Sequence, residues 1–280
     1  MHKNSTMRIT PTTLIIPLAA VLASLVAYGQ TPEADKGDKG QSLPAKSPGA
    51  GTPGGSAGSK TPGSDAPAGG SEKDFDSYPK RYQLLLFEAV NSFQGRDFQG
   101  TLKYVDKADQ ANVDETGKVL PPTKWSLNLR GGVAIEQGDF ANGTKYCLEA
   151  LKLDPGYFSP GFNLCEIQFL QGKYAEAQVS WMKIFKQTKR DDLNYELLIY
   201  RIFLTYLMEK DFDHAKEWLA KIPFPSETPA YHYAHAAWER QQGNLDKWDE
   251  WVRSAAFVWP DVKRSEFTDV LGHLGWLKLD

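Results

Sequence analysis

His232, His235 and Glu239 come nearest, by type and spacing, to residues that could hold a metal. On a helix, residues three and four apart share a face, so the three side chains could converge. A zinc centre needs that convergence plus a further ligand and groups that orient the imidazoles. The chain has no His-Glu-x-x-His signature and no second Cys or His cluster, so ring packing between helices is the simpler expectation. Cys147 and Cys165 sit on neighbouring helical segments, with no histidine close to either in sequence. They read as small buried residues of a helix interface or, in an oxidising compartment, as a disulfide worth about 3 kcal/mol. Asp191 and Asp192 suit a helix N-terminus, where negative charge meets the backbone dipole. Gly58-Ser59-Lys60-Thr61 lacks the residue order, the strand and the helix of a phosphate-binding loop. No nucleophile elbow or dinucleotide fingerprint stands out in the ordered region. These residues therefore assign no catalytic group, no resident metal and no cofactor.

The segments that carry them repeat. Between Tyr82 and Pro260 one phrase recurs five times: a helix-like stretch, a tight polar turn, an aromatic residue or leucine, and a second helix-like stretch. The turns read Gly95-Arg96-Asp97-Phe98, Gly138-Asp139-Phe140, Gly172-Lys173-Tyr174, Lys210-Asp211-Phe212 and Gly243-Asn244-Leu245, and the anchors fall 42, 34, 38 and 33 residues apart. A recurrence near that length marks stacked helical hairpins, none of which can bury its apolar face alone. Leu85, Ala89 and Phe93 give the first helix its four-residue spacing. The following helices are expected near 101–108, 125–137, 141–153, 159–171, 175–187, 192–209, 213–221, 229–242, 246–258 and 262–276. No alternating run is long enough for a strand, so the chain reads as all-α.

Over roughly residues 80 to 260 the chain resembles the tetratricopeptide-repeat family. The family places small residues nine before, three after and ten after the turn anchor. Those slots hold Ala89, Gly131, Cys165, Phe203 and Ala236; Thr101, Gly143, Ala177, Ala215 and Trp248; and Ala108, Ala150, Ile184, Ile222 and Ala255. Small residues there let two helix backbones approach closely. Phe203 and Trp248 depart from the rule, each opposite a slot that stays small, a volume exchange that cores tolerate. The resemblance implies a right-handed solenoid of about five antiparallel helix pairs. A last helix, carrying Phe267, Val270, Leu271, Leu274 and Trp276, is expected to cover the open end of the stack.

The resemblance also places a binding trough along the first helices. Twelve residues before each anchor stand Leu86, Asn128, Phe162, Tyr200 and Tyr233. With Phe169 and Leu204 beside them and Arg201 as a polar edge, Phe162, Tyr200 and Tyr233 would form an apolar-aromatic surface suited to a partner's peptide or amphipathic helix. The alternative is that these rings pack the protein's own core, or are covered by the terminal helix. Of the residues with which some family members grip a C-terminal carboxylate, only Asn163 and Arg201 are kept, so no such clamp is expected.

Composition bounds the rest. The 280 residues are 41% apolar, enough for one sizeable folded unit. Residues 1–29 read as a secretory signal peptide: Lys3 and Arg8, an uncharged run centred on Leu14 to Leu22, then Ala27-Tyr28-Gly29. An uncleaved anchor is the alternative, and it would be the chain's link to a membrane. Without Lys3 and Arg8 there are 30 basic residues against 35 acidic ones. That balance argues against a nucleic-acid partner, which would require a concentrated basic face. Residues 30–74, rich in Gly, Pro, Ser and Ala, read as a disordered spacer, and 75–280 as the repeat domain. The expectation is an exported scaffold of the periplasm or cell envelope, not an enzyme, that binds a protein or peptide. A metal-binding or enzymatic protein using His232, His235 and Glu239, and a self-associating structural subunit, are the alternatives.

Overall fold

A computed structural model describes residues 75–278. The signal segment and the spacer lie outside the described residues. After a short 3-10 turn at Phe75–Ser77 come eleven helices: α1 (Lys80–Gln94), α2 (Phe98–Ala111), α3 (Lys124–Glu136), α4 (Phe140–Leu153), α5 (Phe158–Leu170), α6 (Tyr174–Phe185), α7 (Tyr195–Met208), α8 (Phe212–Leu219), α9 (Ala230–Gln241), α10 (Leu245–Val258) and α11 (Asp261–His273). No strand occurs among the described residues; Val113 and Val119 form one isolated bridge in the α2–α3 loop. The architecture is all-α, five antiparallel helix pairs stacked in chain order and followed by α11. First helices pack on first helices (α1 on α3, α3 on α5, α7 on α9), and α2, α4 and α6 each pack on the next pair.

Backbone geometry makes the five joints equivalent. Arg96, Gly138, Gly172, Lys210 and Gly243 take left-handed φ values of 61°, 74°, 75°, 62° and 82°. Each stands two residues before its anchor, and each anchor is the first residue of a second helix. The residue between them donates its N–H five residues back, as Asp139 does to Ala134 at 2.8 Å and Asp211 to Tyr206 at 3.0 Å. This closes the first helix and satisfies a terminal carbonyl. Asp97, Asp139 and Asp211 then cap the second helices through their carboxylates. A sixth joint follows α11: Gly275 has φ 67°, and Trp276 N–H bonds Leu271 O at 2.8 Å. The last helix therefore ends like a first helix of the repeat, at His273 and three residues short of the expected 276.

Close approach is real at the small slots. A Cβ added to Gly143 would lie 2.8 Å from Ile135 Cγ1 and 3.4 Å from Ile167 Cδ1, and one added to Gly131 would lie 3.2 Å from Cys147 Sγ. Phe203 and Trp248 are buried, as are Ala215 and Ala236, so the large residues belong to the core. One expectation needs correction. Asp191 and Asp192 do not start α7; Asn194 is its N-cap, and Asp192 Oδ1 accepts Asn194 N–H at 2.8 Å in the preceding turn.

Gly143→Ala should lower stability by about 1–2 kcal/mol, because overpacking outweighs the roughly 1 kcal/mol of helix propensity gained. Chemical denaturation reads this as a lower midpoint. Gly161→Ala in α5, where the added Cβ would meet only Ile184 Cδ1 at 3.9 Å, serves as the comparison.

Candidate functional site

The face formed by the first helices α5, α7 and α9 carries the six residues singled out from sequence. All six are buried: Phe162, Phe169 and Arg201 are 1% exposed, and Tyr200, Leu204 and Tyr233 are 0% exposed. Phe162 and Phe169 each pack against Trp181 of α6, with ring centroids 5.8 Å apart. Their place is within the third helix pair. Tyr200, Arg201 and Tyr233 instead meet α11.

α11 runs parallel to α9. Arg264, near its start, reaches Tyr233 Oη at 3.4 Å. Trp276, past its end, meets Trp248 edge to face at 6.3 Å, and the Arg240 guanidinium lies over both rings. The helix also leans across to α7. Tyr200 Oη donates to Phe267 O at 3.0 Å, and Arg201 Nη2 donates to Glu266 O at 3.0 Å. Phe267, Val270 and Leu271 are buried in the same core cluster as Tyr200 and Tyr233, each worth roughly 1.5–3 kcal/mol of apolar burial. The terminal helix thus covers the face of the fourth and fifth pairs, more than the open end anticipated from sequence.

Beneath it lies a polar seam. Arg201 Nε donates to Glu166 Oε2 of α5 at 3.0 Å, with both side chains at most 2% exposed. Burial pushes the Glu166 carboxyl above its ordinary range, against the opposing pull of Arg201. One turn away, Asn163 Nδ2 donates to Asn128 Oδ1 of α3 at 3.2 Å. Burial likewise raises the Tyr200 and Tyr233 phenols. At the far end of α11, His273 is pushed down to about 4 by burial and by the charges of Arg201 and Arg96. Sequence reasoning missed Glu166, Arg96 and His273. A glutamate flanked by Phe162, Cys165, Ile167 and Phe169 was the available signal, since a charge in an apolar stripe needs a buried partner.

The alternative metal constellation is engaged elsewhere. Glu239 Oε2 accepts Asn244 Nδ2 at 2.7 Å, and the His235 ring stacks on Trp251 at 4.9 Å. Among the described residues no group of three or more His, Cys, Asp or Glu could hold a metal ion. Cys147 and Cys165 are free thiols, each pushed up to about 12 mainly by burial. A shallow depression between α5 and α6, lined by Gln168, Ala175, Glu176, Val179 and Ser180, shares no residue with the seam. Among the described residues no helix is long and apolar enough to cross a membrane.

Because His273 is held neutral in the fold, the unfolded chain binds the extra proton between pH 6.5 and about 4. The His273 contribution to stability should fall as pH drops through that window and level off below it. In thermal melts His273→Gln should lose part of this acid-side decline, leaving the share due to His232 and His235, which burial also lowers. An unchanged pH profile would contradict the placement of His273.

No protein-family model matches the chain, and neither a curated protein nor a solved structure matches it.

Proposed function

We propose that this chain is a non-catalytic protein–protein interaction scaffold of the tetratricopeptide-repeat type, acting in the periplasm or cell envelope. Its first-helix face holds a helical segment of a partner protein. One observation carries the reading: that face already holds a helix, and Tyr200 and Arg201 grip it through main-chain carbonyls. Donors aimed at carbonyls accept any helix of suitable shape, whereas the apolar floor selects the spacing of its side chains. The repeat register at five joints supports the family assignment. The charged start, apolar run and small-residue exit of residues 1–29 support export. High thiol pKa values and the engaged His235 and Glu239 side chains favour a non-catalytic role.

A second reading is favoured by the same seated helix. If α11 is the permanent occupant, the protein is a structural subunit whose remaining surfaces self-associate.

Truncating Phe162 and Tyr200 to alanine would not test this, since both side chains are buried and such truncations cost about 3–5 kcal/mol each. Tyr200→Phe removes only the hydrogen bond to the Phe267 carbonyl, so it weakens the occupant and leaves the apolar face in place. Crosslinking of the full chain in native envelopes should then give a discrete partner adduct in several-fold higher yield than wild type, with far-UV circular dichroism unchanged. Equal yields in both proteins, with native helicity, would contradict the scaffold reading. A concentration-dependent mass without heterologous adducts would support the structural one.

A further inference from the structure

We propose that the outer face of α1 docks a second copy of this chain, with α1 of one protomer antiparallel to α1 of its partner across a two-fold axis. This surface lies at the first end of the stack, and the proposal does not depend on what occupies the face of α7 and α9.

In the later pairs, one stripe of each first helix meets the pair before it. Arg130, ten residues before the anchor Phe140, binds Asp106 and Asp109 of α2, both at 2.8 Å. Asn163, eleven before Tyr174, bonds Asn128 of α3 at 3.2 Å. Arg201, eleven before Phe212, pairs with Glu166 of α5 at 3.0 Å. The slot eleven before the anchor is accordingly buried in all four later pairs, as Leu129, Asn163, Arg201 and Ala234. One turn earlier, fourteen before the anchor, Ser126, Pro160 and Leu198 are buried in the second, third and fourth pairs. In α1 the same two slots hold Phe87, 40% exposed, and Leu84, 67% exposed. A solenoid end is ordinarily finished with a polar face. This end instead shows two large apolar side chains side by side, at positions that every later pair buries against a neighbour.

The charges around these two residues identify the occupant. Lys80 and Arg81 stand one turn before Leu84, Glu88 stands one turn after it, and all three are exposed on the same stripe. Turning a second α1 antiparallel about Leu84 gathers Leu84 and Phe87 of both protomers at the centre. It also sets the basic turn of each protomer beside the acidic turn of the other. A face whose charges match themselves under a half-turn is the mark of an isologous contact, which closes at two copies. The residues leading into α1 do not cover this stripe. Phe75 and Tyr78 pack on Trp125 of α3, with ring centroids 5.1 and 5.4 Å away, on the side of α1 that meets the second pair. Residues 30–74 offer Leu43 as their one large aliphatic side chain and no aromatic ring, so they supply no apolar face to match. Two apolar side chains and one charged turn at each end make a modest contact, so the dimer should dissociate on dilution.

Analytical ultracentrifugation of the full chain should show a two-chain species whose share grows with concentration. Leu84→Glu sets like charges together at the centre and should weaken the dimer about tenfold or more, with far-UV circular dichroism unchanged because the side chain is exposed. Charge reversal reads the orientation. Lys80→Glu with Arg81→Glu in one chain, and Glu88→Lys in another, should each weaken self-association. An equimolar mixture of the two should recover it, since the antiparallel arrangement then pairs opposite charges again. A one-chain mass at every concentration would overturn the inference, as would association that survives Leu84→Glu. A mixture no tighter than its separate components would overturn it as well.

Discussion

The Arg201 guanidinium joins three helices at one buried point. From α7 it pairs with Glu166 of α5, bonds the Glu266 carbonyl of α11, and lies over the Phe162 and Tyr200 rings at 5.8 and 5.6 Å. Stripping a guanidinium of water costs several kcal/mol, which the pairing with Glu166 offsets only if the geometry holds. Removing either member would leave an uncompensated charge, a loss of about 3–5 kcal/mol. An all-apolar seam could be as stable. What the charged seam supplies is position: it couples the register of α7 to that of α5 and fixes where α11 rests.

The joints make this placement possible. Because each left-handed residue closes its helix in the same way, the first helices present equivalent slots to one face. Tyr200 and Tyr233 occupy one such slot in successive pairs, and both meet α11. α11 carries the same closing turn at Gly275, so it is built as a first helix, yet it leans over the fourth pair as well as the fifth. The resulting surface is apolar beneath the middle of α11, where Phe267, Val270 and Leu271 are buried.

Much of the fold was legible because the signals are local. A turn residue, a capping residue and an anchor lie within four positions, and all five anchors begin a second helix, one residue ahead of the expected start in four pairs and three ahead in the first. Small residues at fixed offsets mark close backbone approach, as Gly131 and Gly143 do. The site was less legible because its decisive feature is a contact between residues about 65 apart in the chain, Arg201 and Tyr200 with Glu266 and Phe267. No periodicity tells whether a groove-facing ring meets solvent or the chain's own last helix. Asp191 and Asp192 misled for a related reason: an aspartate can cap a helix or fold its own turn, and Asp192 does the latter. Glu166 passed unnoticed because its partner lies two helices away on α7.

The most direct measurement of the central claim is native-state hydrogen exchange along α11, followed peptide by peptide in the full chain. Seated on α7 and α9, the amides of residues 267–271 should be protected many-fold over free-peptide rates. They should lose that protection in Tyr200→Phe before the α7 amides do, since only the link to the Phe267 carbonyl is removed. Exchange of α11 at free-peptide rates in the unaltered protein would mean that the face is open, and would contradict the account.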